Sequence, residues 1–403
     1  MPQIKPEVEA FARIKVLGVG GSGKNALNHM VNSKVRGVEF IAINTDAQDL
    51  HNSLAKKKIH IGKNLTRGLG TGMNPELGRR AVDEAQEEVR EAIQGADMIF
   101  IAGGVGGGTC SGASPRVAQI AKELGALTVA VVTKPFFFEG LQRMRIAEQA
   151  IEDLRGVVDA LIVIPNDRLL SIISKETSAK SAFAMCDEVL RQAVEAISDL
   201  ITTPGIINID FADIKAIMEN AGPALMGIGS AAGEKRAEEA AKVAINSPLL
   251  ELSIAGAKGV LFSIAGGDDL TMFEIQDAAK VITESVDPNA KIIFGTIRND
   301  NLKKGEIRIT VIATGFPEAM VRKTSIFHQE DSSKKSDRMI DDSDKSERKG
   351  KIYNSVPSVS AGASLPKIDV NLSEKKPIPM SDDPNEEDEW SAVPAFLRRS
   401  KLK

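Results

Sequence analysis

The stretch Asp97-Met-Ile-Phe-Ile-Ala-Gly-Gly-Val-Gly-Gly-Gly-Thr-Cys-Ser-Gly-Ala113 joins an apolar run to an unusually dense run of glycines. The apolar part, Asp97–Ala102, is typical of a strand that is buried on both faces of a sheet. Glycine costs about 0.5–1 kcal/mol relative to alanine inside regular structure, so a run this dense indicates a backbone conformation kept for function. The pattern predicts a phosphate-binding turn, followed by a helix over about Pro115–Leu124.

Strands and helices are predicted to alternate on both sides of this turn. The other strands expected in the first half are Ile14–Val19, Val38–Ile43, Leu127–Thr133 and Ala160–Ile164, with helices over Pro75–Ile93 and Gly140–Leu154. Apolar strands separated by helices indicate βαβ crossovers and a parallel sheet that is covered on both faces. The first half is therefore predicted to be a Rossmann-like α/β domain with a parallel sheet.

The second half shows a different pattern. A long helix is expected over about Ser178–Thr202, where apolar residues recur at helical spacing. Beyond it, three strands are expected around one helix, namely Val260–Ala265, Lys291–Thr296 and Ile307–Ala313 around Met272–Ser285. The sequence thus predicts a smaller α+β domain, with the long helix as a central element between the two domains.

Composition excludes several classes of function. The 403 residues carry 51 Lys+Arg against 55 Asp+Glu, and a formal charge of −4 argues against direct, bulk electrostatic binding of nucleic acid. Two cysteines, Cys110 and Cys186, are too few for a disulfide framework and suit a reducing cytoplasm. No apolar run approaches the roughly 18 residues that span a bilayer, so we expect a cytoplasmic protein without a membrane span.

The end of the chain has a separate composition. Asp331–Asp388 mixes Ser, Lys, Asp, Glu and Pro with scattered apolar residues, which predicts a disordered linker. An apolar cluster then precedes several basic residues, in the order Trp390, Val393, Pro394, Ala395, Phe396, Leu397, Arg398 and Arg399. An isolated cluster of this kind favours a docking peptide, and a frayed terminus with accidental apolar residues is the alternative.

The predicted domain boundaries follow from these patterns. They are a disordered arm at 1–12, a nucleotide-binding domain at 13–178, the central helix at 179–202, the α+β domain at 203–316, the linker at 317–389 and the docking peptide at 390–403.

A second glycine-rich turn, Gly18–Asn25, follows the first strand. It fits the dinucleotide pattern G-x-G-x-x-G, with Asp46 near the end of the next strand, and it nearly fits a P-loop that ends in Lys24. Taken alone, this turn leaves NAD, a nucleoside triphosphate and a merely structural turn open. The turn at Gly103–Ala113 favours the triphosphate, because a pyrophosphate needs one such turn and a triphosphate has room for two.

Several segments carry a resemblance to a known family. Gly103–Ala113 resembles the tubulin signature G-G-G-T-G-[ST]-G, and further matching segments are Asn44–Gln48, Gly68–Gly72 with Asn74-Pro75, Thr133–Gly140, Ile164–Asp167, Asn208–Asp213 and Pro394–Arg398. Over about Arg13–Gly315 and the final peptide, the chain resembles the tubulin-like GTPases of bacterial cell division. The resemblance implies GTP hydrolysis, head-to-tail filaments and a division ring at the future septum that recruits other division proteins.

The resemblance also implies a set of GTP-binding residues. Those expected around the phosphates and strand ends are Gly20, Gly21, Ser22, Gly23, Lys24, Asn25, Asn44, Gly104, Gly107, Gly108, Thr109, Cys110 and Thr133. Glu139 is expected at the ribose and Arg143 near the phosphates, although an i,i+4 helix pair also explains them. Phe183 is expected to stack on the base. Asn166 and Asp187 are expected at the guanine edge, where a carboxylate accepts from two donors that adenine lacks.

The expected catalytic residues are Asn208, Asp210 and Asp213. Two carboxylates three residues apart at a helix start share one side, where they could polarise a water or hold a cation. Helix capping by Asp210 with a solvated Asp213 is the alternative from spacing alone. The resemblance implies that this loop completes the GTP pocket of the neighbouring subunit, with GTP and GDP as substrate and product and Mg²⁺ as the accompanying ion.

By the same resemblance, the final peptide docks to membrane-tethering and regulatory division proteins. Its docking residues are expected to be Val393, Pro394, Phe396, Leu397 and Arg398. Phe396 and Leu397 would be the apolar anchors, while Arg398 and Arg399 meet an acidic partner surface or anionic lipid. Attachment through partners would place the protein at midcell on the inner face of the membrane.

Four residues depart from the family pattern: Lys24, Cys110, and Ser111 and Ser114, where relatives commonly carry Thr and Ala. Many relatives carry glycine where this chain has Cys110, so a position that required a positive φ would be strained here. We expect the Cys110 thiol to be accessible in the empty pocket and protected by GTP, whereas a tolerated small side chain is the alternative. Lys24 is also less usual and adds a positive charge near the phosphates.

Overall fold

The computed structural model describes residues 12–170, 176–203, 205–250, 253–299 and 302–316. The predicted arm at 1–12, apart from Ala12, lies outside the described residues, as do the predicted linker at 317–389 and the docking peptide at 390–403.

Ten strands of the described residues form one sheet in the order β3-β2-β1-β4-β5-β6-β7-β10-β8-β9. Their bounds are β1 Ile14–Val19, β2 Val38–Asn44, β3 Lys57–His60, β4 Met98–Gly104, β5 Leu127–Lys134, β6 Ala160–Pro165, β7 Gly222–Ala232, β8 Gly259–Gly266, β9 Lys291–Arg298 and β10 Glu306–Thr314. The first six strands are mutually parallel, and β10 runs antiparallel to both β7 and β8. The predicted parallel sheet is confirmed.

The described residues form α-helices between the strands, in places two or more in succession. They are α1 Gly20–Asn32, α2 Ala47–His51, α3 Lys63–Thr66, α4 Pro75–Glu84, α5 Gln86–Ile93, α6 Gly108–Glu123, α7 Leu141–Arg155, α8 Asn166–Leu170, α9 Ala179–Thr202, α10 Phe211–Met218, α11 Arg236–Ile245 and α12 Met272–Thr283. A 3₁₀ turn at Phe137–Glu139 precedes α7. Among the described residues, no helix combines the length and the apolar character needed to cross a membrane.

The central strands are buried on both faces, as their sequences predict. Alternate residues of β4 enter two different apolar clusters: Phe100 packs in one and Ile99 in the other. The same division separates Val16 from Leu17 on β1. Because both faces are covered, the strands read as continuous apolar runs rather than as alternating ones.

The predicted long helix is confirmed as α9, which begins after Ser178. The Ser178 hydroxyl caps the helix by accepting from the backbone N–H of Ser181. One apolar cluster joins Val194 on α9 to Phe100 on β4 and Leu261 on β8. This helix therefore contributes to a core that is shared by both halves of the sheet.

The two halves also share backbone hydrogen bonding. Strand β6 pairs in parallel with the start of β7, with Ala160, Leu161 and Ile162 opposite Gly222, Pro223 and Ala224. The sheet is continuous across the predicted boundary between the two domains, and those boundaries stay predictions.

Strand β7 and helix α11 were not predicted, because the strand lacks an apolar pattern. Its glycines allow α11 to lie directly on the sheet: a Cβ at Gly227 would be 2.0 Å from the Ala244 carbonyl oxygen. At Gly229 it would be 2.1 Å from the Ala240 carbonyl oxygen. Because the α11 backbone packs directly on the strand backbone, β7 needs glycines where other strands carry apolar side chains, and the usual apolar pattern is missing.

Two helix bounds differ from prediction. The expected helix over Pro75–Ile93 is broken at Ala85, whose ψ is 22°. Helix α6 begins at Gly108, seven residues before the predicted start, although glycine is a poor helix former. Its glycines let α4 approach closely, since a Cβ at Gly112 would lie 1.8 Å from the Pro75 carbonyl oxygen.

Candidate functional site

A cavity of about 390 Å³ opens at the carboxyl ends of β4, β5 and β6 and the starts of α1 and α6. It is lined by Gly20, Gly21, Ser22, Asn25, Thr71, Gly104, Val105, Gly107, Gly108, Thr109, Cys110, Thr133, Pro135, Glu139, Arg143, Asn166, Phe183, Cys186, Asp187 and Leu190. The cavity therefore brings together both glycine turns and most of the residues expected at a nucleotide.

The first turn presents the free start of α1. Gly20 has a φ of 74°, a left-handed conformation that favours glycine, and Val19 before it provides no side-chain cap. The first backbone N–H groups of the helix are therefore not occupied by a capping side chain. The Ser22 hydroxyl accepts from the Gly104 N–H at 2.7 Å, which joins this turn to the second one.

The second turn presents the start of α6 in the same way. Gly107 lies just before the helix, makes no side-chain cap, and has no atom within 4 Å of the position that a Cβ would take. The Gly106 N–H donates to the Ser111 hydroxyl at 2.9 Å, which fixes the turn. Two helix N-termini face one cavity, an arrangement that attracts anions such as phosphate.

Three hydroxyls connect the loops behind these turns. The Thr109 Oγ1 lies 2.9 Å from the Thr45 Oγ1 and 3.2 Å from the Thr71 Oγ1. Thr71 lines the cavity but was not among the expected site residues, although its segment Gly68–Gly72 matches the family. A hydroxyl residue between two glycines in a loop is the signal that could have identified it.

The opposite end of the cavity is aromatic. The Phe183 ring is 47% exposed and meets the edge of Phe136, with centroids 5.4 Å apart. Phe138 stacks on Phe136 with centroids at 5.1 Å. An exposed ring held by its neighbours is suited to stacking on a planar base.

Two potential hydrogen-bond acceptors, on Asn166 and Asp187, line the same cavity as Phe183. The Oδ1 of Asn166 is buried and has no hydrogen-bond partner in the described part of the chain. Burial raises the pKa of Asp187 to about 6, although the charges of His29 and Lys24 act in the opposite direction. A buried acceptor and a desolvated carboxylate both favour a ligand that offers hydrogen-bond donors.

Glu139 and Arg143 line the cavity and also pair with each other. The Arg143 Nη1 lies 3.2 Å from the Glu139 Oε2, so the i,i+4 pair forms although Glu139 ends the 3₁₀ turn and Arg143 lies in the first turn of α7. The Glu139 Oε1 accepts from the Phe136 N–H at 2.9 Å and so fixes the 3₁₀ turn. The sequence left pocket lining and i,i+4 pairing as alternatives for Glu139 and Arg143, and the structure shows both.

Three residues that we expected at GTP do not line the cavity. A Cβ at Gly23 would be 2.6 Å from the Ala102 carbonyl oxygen, so this glycine packs α1 on β4. The Lys24 ammonium lies 2.6 Å from the Asp49 Oδ1, and the Asn44 amide donates to the Asp49 Oδ2 at 2.8 Å. Both side chains are turned to Asp49.

The alternative NAD site lacks its acidic residue. Asp46 caps α2 by accepting from the Asp49 N–H at 2.9 Å, and it does not line the cavity. The carboxylate that would meet a ribose is therefore used locally.

The condition for strain at Cys110 is not met, which favours the alternative of a tolerated small side chain, and the expected accessible thiol is not observed. The residue lies within α6 and is not among the described non-glycine residues with positive φ, so no strain arises there. Its thiol is buried, lies 3.4 Å from the Ser114 hydroxyl, and has a pKa raised by burial to about 11. A buried thiol with this pKa is neither accessible nor reactive.

The predicted catalytic residues lie outside this cavity. The Asn208 Oδ1 accepts from the Gly205 N–H at 2.7 Å, and Asp210 caps α10 through the Ala212 N–H at 3.4 Å. All three side chains, including Asp213, belong to exposed residues. The predicted capping by Asp210 is present, and no residue of this loop reaches the cavity of its own chain.

Comparison with known proteins gives matches to two family models. The model for the GTPase domain of the tubulin/FtsZ family matches residues 13–174, and the model for the C-terminal domain of the FtsZ family matches residues 222–317.

Solved structures agree with these matches. An empty FtsZ dimer from M. jannaschii is 47% identical, covers 76% of this chain and 89% of that chain, and has a TM-score of 0.74. CetZ2 from Haloferax volcanii, solved as a GTPγS-bound protofilament, is 21% identical, covers 77% of this chain and 97% of that chain, and has a TM-score of 0.64. That second likeness shows the fold alone.

The raised pKa of Asp187 predicts a pH-dependent stability. An ionised Asp187 destabilises the folded state, so its contribution worsens as the pH rises from about 4 to 6 and then stays constant. We expect Asp187→Asn to raise the free energy of unfolding by about 1–2 kcal/mol at pH 7.5 and by little at pH 4.

Thermal unfolding of the ligand-free protein at both pH values measures this effect. Asp153→Asn, at an exposed carboxylate on α7, is the matched control and should show no such difference. An Asp187→Asn protein that is no more stable than the wild type at pH 7.5 would contradict the prediction.

Proposed function

The chain belongs to the tubulin/FtsZ family of GTPases, and from this premise we propose that it polymerises head to tail and hydrolyses GTP at the contact between successive subunits. The observation that carries the proposal is the separation of two parts of the site. The cavity holds both phosphate-binding turns, whereas Asn208, Asp210 and Asp213 are exposed outside it. A second subunit is the natural source of the missing carboxylates.

The carboxylates of the cavity itself support this division. Glu139 is held by Arg143 and by the Phe136 N–H, and Asp187 lies on α9 one helical turn after Phe183. Neither is a free base beside the phosphate-binding turns. A general base near a terminal phosphate would therefore come from the Asp210–Asp213 loop of a neighbour.

Exposed apolar residues support assembly through two different surfaces. Met73, Phe137 and Phe138 are 37%, 77% and 68% exposed, and all three lie near residues of the cavity in sequence. Ile206, two residues before Asn208, is 70% exposed. Exposed apolar groups of this size suit contacts with protein, and a contact between unlike surfaces extends into a filament.

GTP is preferred over ATP in this proposal. The buried Oδ1 of Asn166 and the carboxylate of Asp187 are acceptors, and guanine offers a ring N–H and an amino group on one edge. Adenine lacks that pair of donors.

Mg²⁺ fits the site only together with a nucleotide. Among the described residues, no group of three histidine, cysteine or acidic side chains forms a metal site. Phosphate oxygens would supply the missing ligands, with the hydroxyls of Ser22 and Thr109 near them on the two turns.

The finer cellular function rests on the family and on the end of the chain. We propose that the filaments form the division ring at midcell, and that the peptide at 390–403 docks them to membrane-tethering and regulatory division proteins. The apolar anchors Val393, Phe396 and Leu397 and the basic Arg398 support this role. These residues lie outside the described part of the chain.

The first test separates substrates and assembly states. Phosphate release and light scattering are followed together while the protein is incubated with GTP, ATP or NAD⁺ at increasing protein concentration. We expect release from GTP only, with activity per molecule rising above a threshold at which scattering also appears. Equal release from ATP, or a rate per molecule that is independent of concentration, would contradict the proposal.

The second test addresses the shared site. Asp213→Ala should bind GTP with unchanged affinity and lose turnover by about 100-fold, the scale of a lost general base. When it is mixed with wild type, a wild-type pocket that faces a variant loop should be inactive and a variant pocket that faces a wild-type loop should be active, so total turnover should follow the fraction of wild-type loops in the filaments. Asp153→Ala is the control, and full activity of Asp213→Ala would reject the assignment.

The third test addresses the final peptide. A chain that ends before Val393 should keep its GTP turnover and lose its ring at midcell, as observed with a fluorescent fusion in dividing cells of the source organism. Loss of GTP turnover in the shortened chain, or a normal ring, would contradict the docking role.

A further inference from the structure

We propose that Lys24 neutralises Asp49 beneath the phosphate-binding turns, so that GTP binds above a charge-compensated pair rather than to the lysine. The pair explains how the pocket tolerates the Asp49 carboxylate close to the turns that bind phosphate. The inference rests on the assignment of this pocket to GTP.

The geometry places Asp49 against the first turn. A Cβ at Gly21, which lines the cavity, would be 3.5 Å from the Asp49 Oδ2. The Asp49 side chain is 28% exposed, so this carboxylate is only partly screened by water. An unpaired negative charge here would repel phosphates bound at the same turn.

The partners of Asp49 compensate for this charge. The Lys24 Nζ lies 2.6 Å from Oδ1, and the Asn44 amide donates to Oδ2 at 2.8 Å. The backbone N–H of Asp49 donates to Asp46, which holds the residue at the start of α2. Both carboxylate oxygens thus have donors, and one of the donors carries a full positive charge.

Lys24 is poorly placed for a direct phosphate contact. The residue is 9% exposed, lies on α1 behind the turn, and is not among the residues that line the cavity. To reach a phosphate it would have to leave Asp49, and the carboxylate beside Gly21 would then be unpaired. Gly18–Lys24 therefore nearly matches a P-loop in sequence, but its lysine pairs with Asp49 rather than pointing to the phosphate site.

A second group responds to the same charge. Lys24 and His29 act to lower the pKa of Asp187, against the larger effect of burial. The ammonium of Lys24 thus affects both ends of the pocket, although its side chain lies outside it. The His29 Nε2 itself lies 2.8 Å from the Glu188 Oε2, so Lys24 and His29 on α1 each have a carboxylate partner.

The test compares four variants that change charge with little change in shape. They are Lys24→Gln, Asp49→Asn, the double variant Lys24→Gln/Asp49→Asn, and the control Lys63→Gln. Lys63 pairs with Glu88 at 2.9 Å on the surface, with both side chains more than half exposed. Calorimetric titration with GDP and with GTPγS gives the affinities without turnover, and thermal unfolding confirms that each variant is folded.

Charge compensation predicts opposite signs for the two single variants. We expect Lys24→Gln to weaken binding of GTPγS by about tenfold or more, and binding of GDP by less, because fewer charges are repelled. Asp49→Asn should bind as tightly as wild type or more tightly. The double variant should return to within about threefold of wild type, and Lys63→Gln should not differ from it.

Two results would overturn the inference. A double variant as weak as Lys24→Gln would show that the lysine itself holds the nucleotide, and an unchanged affinity in Lys24→Gln would show that its charge has no effect. If the wild type binds neither nucleotide, the assignment of the pocket to GTP fails, and the inference fails with it. If the wild type binds and only the variant pattern differs, the inference fails alone.

Discussion

The site depends on two helices, α1 and α6, that begin at one edge of a parallel sheet. Strands β1 and β4 are neighbours in that sheet, while the chain between them runs outward to β2 and β3. The strand order reverses at this point, and the connections after β1 and β4 leave a crevice between them. Two helix N-termini without side-chain caps then face the same space, and the remaining groups of the pocket are arranged around this concentration of N–H donors.

The parts of the molecule that repeat a local pattern could be predicted from the sequence. Buried strands such as β4, the glycine turns and the long helix α9 could be predicted because each is determined by residues that are close together in the sequence. Strand β7 could not be predicted, because Gly227 and Gly229 are fixed by the backbone of α11, which comes later in the chain. The orientation of Lys24 was missed for the same reason, since its partner Asp49 lies on a different element.

In the Asp210 loop a structural role is observed, and it is compatible with the catalytic role that we propose. Asp210 caps α10, and this cap alone is enough to explain the spacing of the two aspartates. Yet the loop remains exposed, with Asn208 bonded to the backbone of Gly205 and Asp213 one turn into the helix. A loop whose hydrogen bonds are already formed within its own chain presents its carboxylates to a neighbour at little conformational cost.

The glycines of β7 have a consequence for temperature sensitivity. Since the α11 backbone lies directly on the strand, neither Gly227 nor Gly229 has room for even a methyl group. A side chain at either position forces α11 away from the sheet, although neither glycine lines the cavity. Temperature-sensitive variants of this chain are therefore expected on this strand, where a substitution lowers the stability of the fold.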